Sequence, residues 1–243
     1  MNNYLYSQIE NHGCDHNNWC PNGTKTTETR IVPVPGYPFC FAKVEFELTR
    51  CEQFSSVVVV KSINYLGGCT NLLTQMYPLG LNAPPDEIFM RQMWGQIQVN
   101  ILSLAFEEFF NSITDPVIKD TYYCTNPDGT PRNSSTYTQQ VLINGACLSL
   151  CTALLQDINT SEYVVAQRYQ DCLENNCCIM YYTYCINRNT NKAVRTTPVV
   201  NTGVWESQCT NTAPPDCPSF VTSNYNVIST FSGTCKFTCQ EED

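Results

Sequence analysis

Between residues 39 and 50 the chain FCFAKVEFELTR alternates: Ala42, Val44, Phe46 and Leu48 face one way, Lys43, Glu45, Glu47 and Thr49 the other. Period two marks a half-buried strand. Its expected partner is the β-branched run SSVVVVKSI at 55–63. Residues 64–85 read as loop, with Gly67-Gly68 and Pro84-Pro85. Asp86 then looks like an N-cap. One long helix is expected from Glu87 to Ile113, with Phe89, Met93, Ile97, Ile101, Leu104 and Phe109 on its apolar face and Ile88, Trp94, Ala105, Phe110 and Ile113 beside them. After a turn at Asn126-Pro127-Asp128-Gly129, residues 139–157 and 161–176 read as a helical hairpin, capped by Asn159-Thr160-Ser161. Residues 178–188 and 193–200 flank the turn Asn189–Lys192 and read as a hairpin with an aromatic face. A last strand is expected near Val227–Phe231.

These elements predict a single disulfide-reinforced α+β domain with one long central helix, a helical hairpin and two β-hairpins. Residues 1–38 form an irregular, cysteine-tethered N-terminal segment, 39–200 the core, and 201–243 a cysteine-tethered tail packed on it. The repeated pentads Cys69-Thr-Asn-Leu-Leu and Cys151-Thr-Ala-Leu-Leu hint at a diverged duplication.

The 16 cysteines change the picture most. Sixteen free thiols would be a liability in a reducing compartment, so the chain is expected to be oxidised and exported. Disulfide candidates are Cys14, Cys20, Cys40, Cys51, Cys147, Cys151, Cys172, Cys177, Cys178, Cys235 and Cys239. On the helical-hairpin reading, Cys151 reaches Cys172, and Cys147 reaches Cys177 or Cys178. The opening Met1-Asn-Asn-Tyr-Leu-Tyr has neither basic nor apolar leader character, and the leader is expected to lie outside this chain. The alternative use of cysteine is metal: His12, Cys14, His16 and Cys20 include both histidines and could bind Zn²⁺, although the spacing fits no finger and a Cys14–Cys20 bridge is the simpler expectation.

Composition then excludes whole classes. The net charge is −9 and the 13 Lys and Arg form no basic run, so no nucleic-acid partner is expected. No stretch is long and apolar enough for a membrane-spanning helix. Asn and Thr supply hydrogen-bonding capacity where charges make up only 14% of the chain. No zincin motif, nucleophile elbow or phosphate loop occurs, and no cofactor is expected. The close carboxylates, Glu45 with Glu47 and Glu107 with Glu108, lie on single elements, whereas glycosidases place theirs across a cleft. Three sequons start at Asn22, Asn133 and Asn159.

The stretch from Cys172 to Cys217, with Cys177-Cys178, an aromatic hairpin and the spaced Cys209 and Cys217, resembles cysteine-rich exported proteins of Bacteroidota-type bacteria. The resemblance implies an extracellular or cell-surface location and transfers no catalytic residue. The resulting expectation is a non-enzymatic structural or adaptor subunit whose partners are other proteins of an extracellular assembly. Its candidate contact residues are Tyr181, Tyr182, Tyr184 and Trp205. The alternatives are a carbohydrate- or peptide-binding module stacking ligand on Trp19, Trp94 or Trp205, a carboxylate hydrolase, and a disulfide-rich virion protein.

Overall fold

The computed structural model describes residues 22–51, 56–133, 138–145, 147–172, 177–195, 199–202, 209, 213, 215–220 and 223–237. In chain order the elements are β1 (Thr24–Pro33), β2 (Cys40–Arg50), β3 (Ser56–Gly67), α1 (Thr70–Met76), α2 (Glu87–Ser112), α3 (Pro116–Asp120), β4 (Thr138–Gly145), β5 (Cys147–Asp157), β6 (Tyr163–Asp171), β7 (Cys177–Ile186), β8 (Ala193–Arg195), β9 (Val199–Thr202), β10 (Tyr225–Ser232) and β11 (Lys236–Phe237).

The expected α+β class with a helical hairpin is corrected: the described residues form a mostly antiparallel sheet of eleven strands with three helices. β3 is its branch point. One edge of β3 pairs with β2 along its length, and β2 pairs with β1. The other edge divides: Ser56–Val58 runs parallel to β4, while Ser62–Asn64 pairs antiparallel with β6. One arm continues from β4 to β7, β8 and β9, the other from β6 to β5, β10 and β11.

Helix α2 packs against both arms. Asp86 caps it by accepting from the Phe89 N–H at 3.0 Å. Near its start Trp94 meets Tyr169 of β6, with ring centroids 4.5 Å apart. Near its end Phe106 meets Tyr184 of β7 at 5.5 Å. The buried stripe includes Met90, Leu102 and Phe106, whereas Ile88 is exposed.

The helical hairpin fails for a physical reason. Residues 147–155 are buried at every position, because β5 is covered on both faces. Leu150 and Leu154 face the α2 side. Cys151, Ala153 and Leu155 face Phe220 of the C-terminal segment. A strand covered on both sides loses its alternation and reads as a continuous apolar run. The supposed cap at 159–161 is the β5–β6 turn, where Asp157 Oδ1 accepts from Asn159 N and Thr160 N at 2.7 and 3.0 Å.

Three smaller expectations change with it. Residues 24–33, expected to be irregular, form β1, an alternating strand whose inward positions carry Thr26, Glu28 and Arg30 before Val32 and whose pattern is therefore muted. The stretch read as loop at 64–85 contains the end of β3 and α1. The two Cys-Thr-x-Leu-Leu pentads fall at the start of α1 and inside β5, so they are not structural equivalents.

Candidate interaction surface

Five disulfides define the described covalent frame: Cys40–Cys69, Cys124–Cys185, Cys147–Cys209, Cys151–Cys217 and Cys172–Cys235. The expected links from Cys147 and Cys151 into 172–178 are corrected. Both cysteines lie on the face of β5 that carries the C-terminal segment, and they bond to that segment. Cys51 is also disulfide-bonded. The expectations for Cys14, Cys20, Cys239 and the zinc set His12, Cys14, His16 and Cys20 fall outside the described residues, as do those for Trp19, Trp205 and the side chains of Cys177 and Cys178. Among the described residues no group of three or more His, Cys, Asp or Glu is placed to hold a metal. No described helix is long and apolar enough to cross a membrane.

The predicted contact tyrosines lie in the interior. Tyr181, Tyr182 and Tyr184 are 3%, 2% and 1% exposed. β7 is an inner strand, with β4 on one side and β8 and β9 on the other. Tyr182 and Tyr184 belong to the core beneath α2, and burial raises the Tyr184 phenol above its ordinary pKa. Trp94 is fully buried and offers no platform for a sugar.

The carboxylates are engaged in separate local contacts. Glu47 takes Lys25 at 2.9 Å and Lys61 at 3.2 Å. Partial burial opposes its ionisation, but the two lysines outweigh it and hold the group below its ordinary pKa. Glu45 accepts from Ser62. Glu107 accepts from Lys192 and from the Ala193 N–H, while Glu108 pairs with Arg30. The Asn22, Asn133 and Asn159 side chains are exposed.

The clearest surface feature lies where β1 turns into β2. Val34 to Cys40 form a tight connection: Tyr37 N–H donates to Val34 O, Cys40 N–H to Tyr37 O, and Val34 N–H to Cys40 O. Phe39 has φ = 72°, in the left-handed region, and the residue is 79% exposed. The Gly68 N–H holds its carbonyl at 3.0 Å. Gly67, at φ = +83°, leaves room for that carbonyl, since a Cβ there would lie 3.0 Å from it. The Cys40–Cys69 bridge, with Cα atoms 4.6 Å apart, closes the corner. On the adjoining outer face Pro33 lies opposite Phe41 and Ile31 opposite Lys43. Ile31 and Phe41 are 65% and 43% exposed.

A rigid corner therefore displays Ile31, Phe39 and Phe41 beside Lys43. Sequence reasoning missed it, although the signal was there: in FCFAKVEFELTR the alternation that exposes Lys43 and Glu45 assigns Phe41 to the same face, and Phe39 stands two residues before it. Left-handed backbone costs a non-glycine residue about 1–2 kcal/mol. Because the ring is exposed, little packing is lost on its removal. Phe39→Asn is expected to stabilise the fold by about 0.5–1 kcal/mol, since Asn tolerates this conformation better. An increased urea midpoint checks this. A lower one would mean the ring contributes to packing.

Comparison with protein-family models, curated proteins and solved structures finds no match.

Proposed function

We propose that the protein is a non-enzymatic, exported structural or adaptor subunit of a cell-surface or extracellular assembly, and that it docks its partner protein on the Ile31–Phe39–Phe41 corner. The observation that carries this reading is Phe39, an exposed aromatic side chain held in costly backbone geometry by a disulfide and two hydrogen-bonded turns. Strain of this kind is retained where function uses it. Exposed aromatic anchors on a pre-organised frame suit protein recognition, because little entropy is lost on docking. The five disulfides support assembly in an oxidising compartment.

The test is site-specific photo-crosslinking on the source cells. A photoreactive residue at Phe41 is expected to give discrete adducts with other surface proteins. The same residue at Ile158, also exposed but on the β5–β6 turn, is expected to give none of them. Phe39→Asn should remove the Phe41 adducts while the protein remains folded. No adducts from Phe41, or the same adducts from both positions, would overturn the reading.

A further inference from the structure

The three-stranded part of the sheet ends at β1, which pairs with β2 from Thr24↔Arg50 to Pro33↔Phe41 without a bulge. Along its other edge β1 has no strand partner among the described residues. Among the described residues, the outer edge of this ten-residue strand therefore presents an open row of N–H and C=O groups. The only proline is the last residue of the strand, where it blocks little. The edge strand β10 differs: its register is interrupted between Val227 and Ser229, which bends it out of line.

We propose that β1 pairs antiparallel with β1 of a second copy about a two-fold axis at Thr29. This inference deepens the assembly-subunit reading and rests on it. The occupant and the register follow from the charges. Even-numbered positions face the α2 side, where Val32 is buried and Arg30 meets Glu28 of its own strand at 2.7 Å and Glu108 on the helix, so pairing across the axis extends a charge network each copy already holds. Odd-numbered positions face outward. A continuous sheet must pair even with even and odd with odd. Two registers then overlap nearly the whole strand. An axis at Glu28 sets Glu28 against Glu28. An axis at Thr29 sets Glu28 against Arg30 twice, Thr29 against Thr29, and the exposed Ile31 against Thr27.

Axes at Arg30 and at Thr27 both shorten the overlap; the first sets Arg30 against Arg30, and the second sets Glu28 and Arg30 against threonines, with no opposite-charge pair. Opposite charges and Thr–Thr pairs favour cross-strand pairing, and like charges oppose it. The Thr29 register is therefore the self-complementary one. It joins two three-stranded units into a six-stranded face, with both aromatic corners on the same side. Such a pair would present two docking sites to one assembly.

Light scattering on the eluting protein, across a concentration series, tests this. The wild type is expected at twice the 27.5 kDa chain mass. Glu28→Arg sets cation against cation across the axis, and Arg30→Glu sets anion against anion. Each is expected to weaken dimerisation by tenfold or more. Mixing the two variants in equal amounts restores opposite charges in every row and should restore the doubled mass. Thr29→Arg is a second probe at an exposed position, and it should separate the copies by placing two cations on the axis. Circular dichroism confirms that each variant is folded.

A wild type that stays at the single-chain mass, a dimer indifferent to all three changes, or a mixture that does not reassociate would overturn the pairing. Any of these leaves the Phe41 crosslinking result untouched. Conversely, loss of those crosslinks with an intact charge-dependent dimer would overturn the docking corner alone.

Discussion

Replacing Cys209, Cys217 and Cys235 together by alanine is expected to release the C-terminal segment and collapse the β5–β6–β10 arm. The three bridges tie this segment to Cys147, Cys151 and Cys172, across separations of 62, 66 and 63 residues. Closing one such loop alone contributes about 4 kcal/mol on the chain-entropy account. The loops overlap, so the second and third bridges close shorter residual loops and contribute about 3–4 kcal/mol each. The sum, about 10 kcal/mol, is comparable to the whole stability of an ordinary domain. The loss extends beyond the tail. Phe220 covers Cys151, Ala153, Leu155 and Ala166, and without it that face of β5 and β6 meets water. Single replacements should be tolerated better than a third of the combined loss, because the two remaining bridges still confine the segment. Thermal unfolding by near-UV circular dichroism checks the order. A triple variant that melts like the wild type would contradict it.

The second large effect is expected at Arg91. This residue is 6% exposed, inside α2, with its guanidinium 5.7 Å from the centre of the Tyr169 ring. It donates to Glu87 Oε1 at 2.8 and 2.9 Å, to Leu148 O at 3.1 Å and to Thr234 O at 2.8 Å. Glu87 in turn accepts from the Thr234 N–H. One planar fork thus joins the helix, β5 and the chain beyond β10. Removing one partner of a buried pair leaves charge and carbonyls without compensation, at a cost of about 3–5 kcal/mol. Arg91→Ala should show that loss in urea unfolding. Arg91→Lys should recover little of it, since a single ammonium cannot satisfy three acceptors in this planar arrangement. Full recovery by lysine would mean that charge, not geometry, is what the site requires.

The legible and illegible parts of the chain divide by burial. Cys40–Arg50 shows its alternation because one face is core and the other is solvent: Val44 and Leu48 are buried, and Lys43 and Glu45 exposed. Asp86 announces a helix start because a double proline precedes it and apolar residues follow. β5 hides its identity because α2 covers one face and the C-terminal segment the other. β1 hides for the opposite reason, since it is an edge strand with few apolar residues. The spacing of Cys147 and Cys151 puts both on one face whether the segment is helix or strand. Their partners depended on which later segment crosses that face, and no local pattern records this. The tyrosines of β7 looked like a recognition surface from composition alone. The burial of Tyr182 and Tyr184 follows from strand order, because a strand flanked on both sides and roofed by a helix buries the aromatic rings on that face. Of the displayed rings, Phe41 sits in the most readable strand, on the face that its alternation assigns to solvent, and Phe39 lies just before it in the left-handed turn residue that no alternation records.

A disulfide-latched sheet displaying a fixed aromatic corner is the core of this account. The most direct test is peptide mapping of protein purified from its source, alkylated before and after reduction. The expected result is five linked pairs, Cys40–Cys69, Cys124–Cys185, Cys147–Cys209, Cys151–Cys217 and Cys172–Cys235, with none of these ten thiols alkylated before reduction. Free thiols at Cys40 and Cys69 would remove the clamp on Phe39. A Cys151–Cys172 link would separate the C-terminal segment from β5, and either result would contradict the account.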